Sequence, residues 1–75
     1  MDHRKALFLA SAAQLYDIGV ELEAARSRVK RLVAQGLSSD AEEVRQALQD
    51  FKEWNRHWQI QEQQHLALLE ELFEA

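Results

Sequence analysis

The stretch QGLSSDAEE, residues 35–43, interrupts a sequence that otherwise has very few helix-breaking residues. Gly36 is one of two glycines in the chain, and glycine readily adopts the left-handed conformation that ends many helices. Ser39 is followed three residues later by Glu42, which is the spacing of a capping box at the start of a helix. The acidic side chains here would also lie at the positive end of that helix's dipole. The stretch therefore predicts a tight turn between two helices.

Apolar side chains recur at sevenfold spacing on both sides of this turn. The repeat before it consists of Phe8, Leu15, Leu22 and Val29. The repeat after it consists of Val44, Phe51, Trp58, His65 and Leu72, in which one member is polar. A heptad repeat of this kind indicates helices that pack along one seam. We therefore predict an all-α antiparallel two-helix hairpin, with helices at about residues 4–35 and 40–74, forming a single domain over residues 1–75.

The composition indicates that one hairpin needs additional stabilisation. A chain of 75 residues has room for one small core, which rarely contributes more than about 3–5 kcal/mol. The absence of cysteine excludes disulfides and thiolate metal sites, and it fits a reducing compartment. Self-association remains, so we expect the hairpin to dimerise into a four-helix bundle. The net charge of −4 argues against a generally basic nucleic-acid-binding protein.

The first residues of the sequence resemble a signal peptide for secretion. His3, Arg4 and Lys5 are followed by ALFLASAA, but the strictly apolar run over residues 6–10 is too short for a signal peptide. No run approaches the roughly 20 apolar residues of a membrane-spanning helix. We therefore expect a cytoplasmic protein with no membrane partner.

Folding about a centre near residue 37 or 38 also predicts which residues face each other. It places Gly19 beside Trp58, where a bulky indole would explain a glycine inside a helix. Farther from the turn, the small residues at positions 10–13 lie opposite Gln61, Gln64 and His65. Large polar groups are thus expected to meet small partners.

The half of the hairpin away from the turn carries more apolar surface than one hairpin can cover. A second stripe on the first helix contains Leu9, Ala13, Tyr16 and Val20, and the second helix is apolar on more than one face after residue 65. We expect this surface to form the interface between two copies, or to bind a helix of another protein. The predicted interface residues are Phe8, Leu9, Leu15, Tyr16, Ile18, Trp58, His65, Leu66, Leu69, Leu72 and Phe73.

The unusual stretch WNRHWQIQEQQH, residues 54–65, is interpreted as a polar layer that fixes helix register and partner number. Glu62 and His65 have the Glu-x-x-His spacing of di-iron four-helix bundles, but the first helix offers no facing carboxylate near residues 12–14. We therefore predict neither metal nor cofactor. No Ser/His/Asp arrangement or glycine-rich phosphate loop occurs, and we predict no enzymatic activity.

Four basic residues near the end of the first helix form the candidate nucleic-acid patch. They are Arg26, Arg28, Lys30 and Arg31. In a dimer they could follow a phosphate backbone. The alternative is a solvated helix end that complements its own dipole and the acidic second helix, and we favour it.

In length and layout, the two antiparallel helices and tight turn resemble the Rop-type RNA-binding hairpins. That likeness is architectural, and Trp54 and Trp58 depart from the layering of that family. The run from Arg28 through Gly36 into a glutamine-rich helix is also similar to the small hairpin co-chaperones of type III secretion, which cover an apolar partner. No functional residue is transferred from either family. We expect a non-enzymatic interaction or regulatory module acting as a homodimer, with partner-helix binding and RNA binding as alternatives.

Overall fold

The computed structural model describes residues 2–74, which form two helices joined by a short turn. Helix α1 spans His3–Ala34 and helix α2 spans Glu42–Glu74, and this part of the chain contains no strand. Side-chain contacts link Arg28 to Asp50 near the turn and Ser11 to His65 far from it, so the helices run antiparallel. The hairpin measures 53 × 15 × 14 Å. The predicted all-α hairpin is confirmed.

Both ends of α1 are capped by identifiable groups. At the start, the side chain of Asp2 accepts a hydrogen bond from the backbone N–H of Arg4 at 3.0 Å, an N-cap that the heptad pattern did not indicate. At the end, Gly36 has φ +84°, as predicted. Its N–H donates to the carbonyl of Val33, and the N–H of Leu37 donates to that of Leu32. These two bonds form a Schellman motif.

The predicted start of α2 is wrong by two residues. The helix begins at Glu42 rather than near residue 40, because residues 39–41 form a separate turn in which the N–H of Ala41 donates to the carbonyl of Ser38. The hydroxyl of Ser38, rather than that of Ser39, accepts the N–H of Asp40 at 3.2 Å. The expected capping box is thus replaced by a serine turn one residue earlier.

The contact between the two helices buries very few side chains. Over residues 2–74, Val44 and Ala47 are the buried hydrophobic residues, and Ser11 is the buried polar one. The other seam residues remain partly exposed, because each helix of a two-helix hairpin has only one neighbour to cover it. The best-covered part of the seam lies near the turn.

The relative placement of the helices agrees with the predicted register. A Cβ atom added to Gly19 would lie 3.0 Å from Cζ3 of Trp58. The indole therefore occupies the space that a side chain at position 19 would need, which explains the glycine inside α1.

Over the residues described, neither α1 nor α2 has a stretch long and apolar enough to cross a membrane.

Candidate interaction surface

Most of the exposed large apolar residues lie on one side of the hairpin, although Leu7 and Ile60 are exposed on the other. Successive residues of an α-helix are rotated by about 100°. Measured from the seam, Leu9 and Tyr16 lie about 110–120° around α1. Leu66 and Phe73 lie about 100–110° around α2, and the antiparallel direction brings them to the same side. We call this side the front face and the opposite side the back face.

The predicted interface residues fall into two groups. Leu9, Tyr16, Leu66 and Phe73 are exposed on the front face, at 62%, 72%, 45% and 82%. The seven others lie partly buried along the contact between α1 and α2. These seven are Phe8, Leu15, Ile18, Trp58, His65, Leu69 and Leu72. Only the first group is freely available to a second molecule.

The front face continues toward the turn, which the sequence reasoning missed. Leu48 and Val33 are exposed there, and an open groove of about 130 Å³ is lined by Val29, Leu48, Phe51, Arg26 and Lys30. The sequence pattern could have indicated this groove, because Leu48 directly follows Ala47, which is buried in the contact between the helices. An apolar residue at that position lies beside the seam. The residues of the groove combine an apolar floor with basic edges. We call it the turn-half groove.

The candidate nucleic-acid patch does not form one surface. Arg28 donates to Asp50 at 3.2 Å on the back face, where the two residues line a shared groove. Arg26 lies 3.4 Å from Glu23, and its guanidinium sits 5.9 Å from the centre of the Phe51 ring. Helical rotation puts Lys30 with Arg26 on the front face and Arg31 with Arg28 on the back. The four charges are therefore divided between the two faces.

A polar layer links the helices in the half of the hairpin away from the turn. The amide of Gln61 donates to Oγ of Ser11 at 3.0 Å, and Nδ1 of His65 lies 3.3 Å from the same oxygen. The His65 ring also stacks on Phe8, with ring centres 4.6 Å apart. Ser11 is 4% exposed, so both larger polar side chains converge on a buried hydroxyl. The predicted pairing of a small residue with Gln61 and His65 is present.

Trp54 and Glu62, from the stretch of residues 54–65, do not take part in this polar layer. Trp54 lies 5.4 Å from the His57 ring in a tilted arrangement, and His57 is exposed. Glu62 is exposed on α2, one turn from His65. Over residues 2–74, no three His, Cys, Asp or Glu side chains are grouped so that they could hold a metal ion.

Comparisons with known proteins give no family for this chain. No family model matches the sequence, and neither the curated proteins nor the solved structures contain a match. The function must therefore be inferred from the surfaces of the hairpin itself.

Proposed function

We propose that the protein is a small, non-enzymatic interaction module that acts as a homodimeric four-helix bundle. The main support for the proposal is the amount of surface that the folded chain leaves exposed. The hairpin exposes 5696 Å². A compact monomer of 8.7 kDa is expected to expose about 4,700 Å².

The excess surface is comparable with a protein interface. The difference of about 1,000 Å² per chain is close to the roughly 800 Å² that each partner buries in a standard interface. Much of what is exposed is also apolar, as Tyr16, Phe73 and Leu9 illustrate. Burial of apolar surface contributes about 25 cal/mol per Å², so covering this face would stabilise the bundle substantially. A second copy presents the same face and can cover it reciprocally.

The two alternatives make different use of the same surfaces. A helix from another protein, as a chaperone or adaptor would bind, could cover the front face in place of a second copy. RNA binding is less well supported, because Arg28 already pairs with Asp50 and the basic residues are divided between two faces. Cytoplasmic placement remains part of the proposal, and the absence of cysteine fits a reducing compartment.

Thermal unfolding followed by circular dichroism over a wide concentration range tests the proposal. An obligate dimer melts at higher temperature as its concentration rises. Leu66→Gln on the front face should lower the melting temperature and reduce its concentration dependence. Ile60→Gln is the matched control, because Ile60 is 54% exposed, similar to the 45% of Leu66, but points away from the front face. A melting temperature independent of concentration would contradict homodimerisation.

A further inference from the structure

The turn-half groove has the chemistry of a receptor for an acidic, apolar helix. Its floor is formed by Val29, Leu48 and Phe51, and its edges by Arg26 and Lys30. Helical rotation places two more cations, Arg45 and Lys52, on the front face of α2 beside the groove. Four basic side chains therefore surround an apolar floor, and one of them, Arg26, already pairs with Glu23. The net positive charge favours an occupant carrying carboxylates around apolar side chains.

The last part of α2 carries that complementary chemistry. The segment LALLEELFE, residues 66–74, contains three glutamates and no basic residue. Its front face exposes Leu66 and Phe73, and the rotation of α2 puts Glu62 and Glu70 on the same side. Phe73 is 82% exposed, the largest value among the exposed large apolar residues of the described chain. The hairpin thus carries both a receptor and a ligand.

Within one hairpin, the end of α2 cannot reach the turn-half groove. With Gly19 against Trp58, residue 48 lies level with about residue 29 of α1, whereas residue 66 lies level with about residue 11. At 1.5 Å per residue these levels are about 27 Å apart on a straight hairpin. Within this fold, only the end of α2 from another molecule can reach the groove.

We infer that a second copy docks front face to front face in the reverse direction, with the acidic end of its α2 in the turn-half groove. This arrangement rests on the proposed homodimer and specifies how the copies are oriented. A twofold axis through the level of Gly19 makes the contact reciprocal, so the dimer closes. This rotation stacks α2 on α2 of the second copy, so Leu48 faces the second copy's Leu66. Arg45 likewise faces the second copy's Glu70, and Lys52 faces its Glu62.

The same-direction arrangement is disfavoured by charge. If both turns lay at one end, Leu9 would meet Leu66 of the second copy. The cations Arg26 and Lys30 would then meet Lys52 and Arg45 of the second copy. Like charges facing each other across an interface oppose that orientation. In the reverse orientation, Lys52 and Arg45 instead meet Glu62 and Glu70 of the second copy, so these pairs attract.

Single-cysteine variants distinguish the two orientations, since the natural chain has no cysteine. Leu66→Cys is mixed with Leu48→Cys in one sample and with Leu9→Cys in another, each sample is equilibrated and mildly oxidised, and covalent heterodimer is measured. The reverse orientation predicts several-fold more heterodimer for the Leu48 and Leu66 pair. Using separate chains avoids a bond within one hairpin, and unchanged circular dichroism shows that each variant folds.

The other possible outcomes separate the orientation of the copies from dimerisation itself. More heterodimer for the Leu9 and Leu66 pair would overturn the reverse orientation. No heterodimer in either sample, with a dimeric mass in sedimentation, would overturn the docking of α2 but leave the homodimer standing. A monomeric mass would overturn both.

A charge exchange provides an independent readout. Glu70→Lys should weaken association several-fold, and combining it with Arg45→Glu in the same chain should restore it. Glu71→Lys is the matched control, because the next residue is rotated by about 100° and faces away from the front. Equal effects at positions 70 and 71 would overturn the docking.

Discussion

The indole of Trp58 lies where a side chain on Gly19 would have to be, with Cζ3 of the ring 3.0 Å from the position of an added Cβ atom. This contact fixes the register of α1 against α2 at the middle of the hairpin. It also determines which residues of two docked hairpins would lie opposite each other. Close packing of an aromatic ring on a helix backbone tolerates little additional volume.

Gly19→Leu should therefore destabilise the protein by about 1–3 kcal/mol, because the larger side chain must displace Trp58. Chemical denaturation measures the change. Val20→Leu, at an exposed position on the same helix, is the control and should have little effect. An unchanged or higher stability for Gly19→Leu would show that the register is wrong.

Ser11→Ala removes the hydroxyl on which the polar layer converges. Gln61 loses its acceptor and His65 its hydrogen-bond partner, but both remain partly accessible to water. We expect a loss of about 1 kcal/mol in the free energy of unfolding. Ser27→Ala, on the exposed surface of α1, should be neutral or slightly stabilising. Equal effects of the two substitutions would contradict a role for the polar layer.

Gly36→Ala tests the turn. The backbone of Gly36 has φ +84°, and no atom lies within 4 Å of an added Cβ, so the penalty would come from the backbone alone. We expect a destabilisation of about 1 kcal/mol, and a smaller one for Gly36→Asn because asparagine tolerates this conformation better. If alanine proves as stable as glycine in thermal unfolding, the left-handed turn is absent in solution.

The ion pair between Arg28 and Asp50 should contribute little. Both side chains are considerably exposed, so a double-mutant cycle with alanine at each position should give a coupling of about 0–1 kcal/mol that decreases with added salt. A larger, salt-independent coupling would mean that a partner buries this pair on the back face, which would contradict association through the front face.

The sequence predicted the hairpin and its register because both depend on local signals. Gly36 has a conformational preference of its own, and the heptad repeats specify which face of each helix is apolar. The start of α2 was harder to predict, because two adjacent serines can both serve as turn residues and only the three-dimensional turn selects Ser38. Helix boundaries depend on such competitions.

The candidate site was only partly predictable. Leu9 and Leu15 both looked like interface residues, since periodicity shows that a side chain is apolar but does not show which neighbour covers it. The structure leaves Leu9 62% exposed and places Leu15 along the contact between the helices. The division of Arg26 and Arg28 between two faces follows from helical rotation, and it could have been deduced once the seam was assigned.

Sedimentation equilibrium of the unmodified chain, from nanomolar to high micromolar concentration, tests self-association most directly. We predict a mass of twice 8.7 kDa at the upper concentrations, with reversible dissociation and loss of helix on dilution. A stable, helical species of 8.7 kDa at every concentration would contradict self-association.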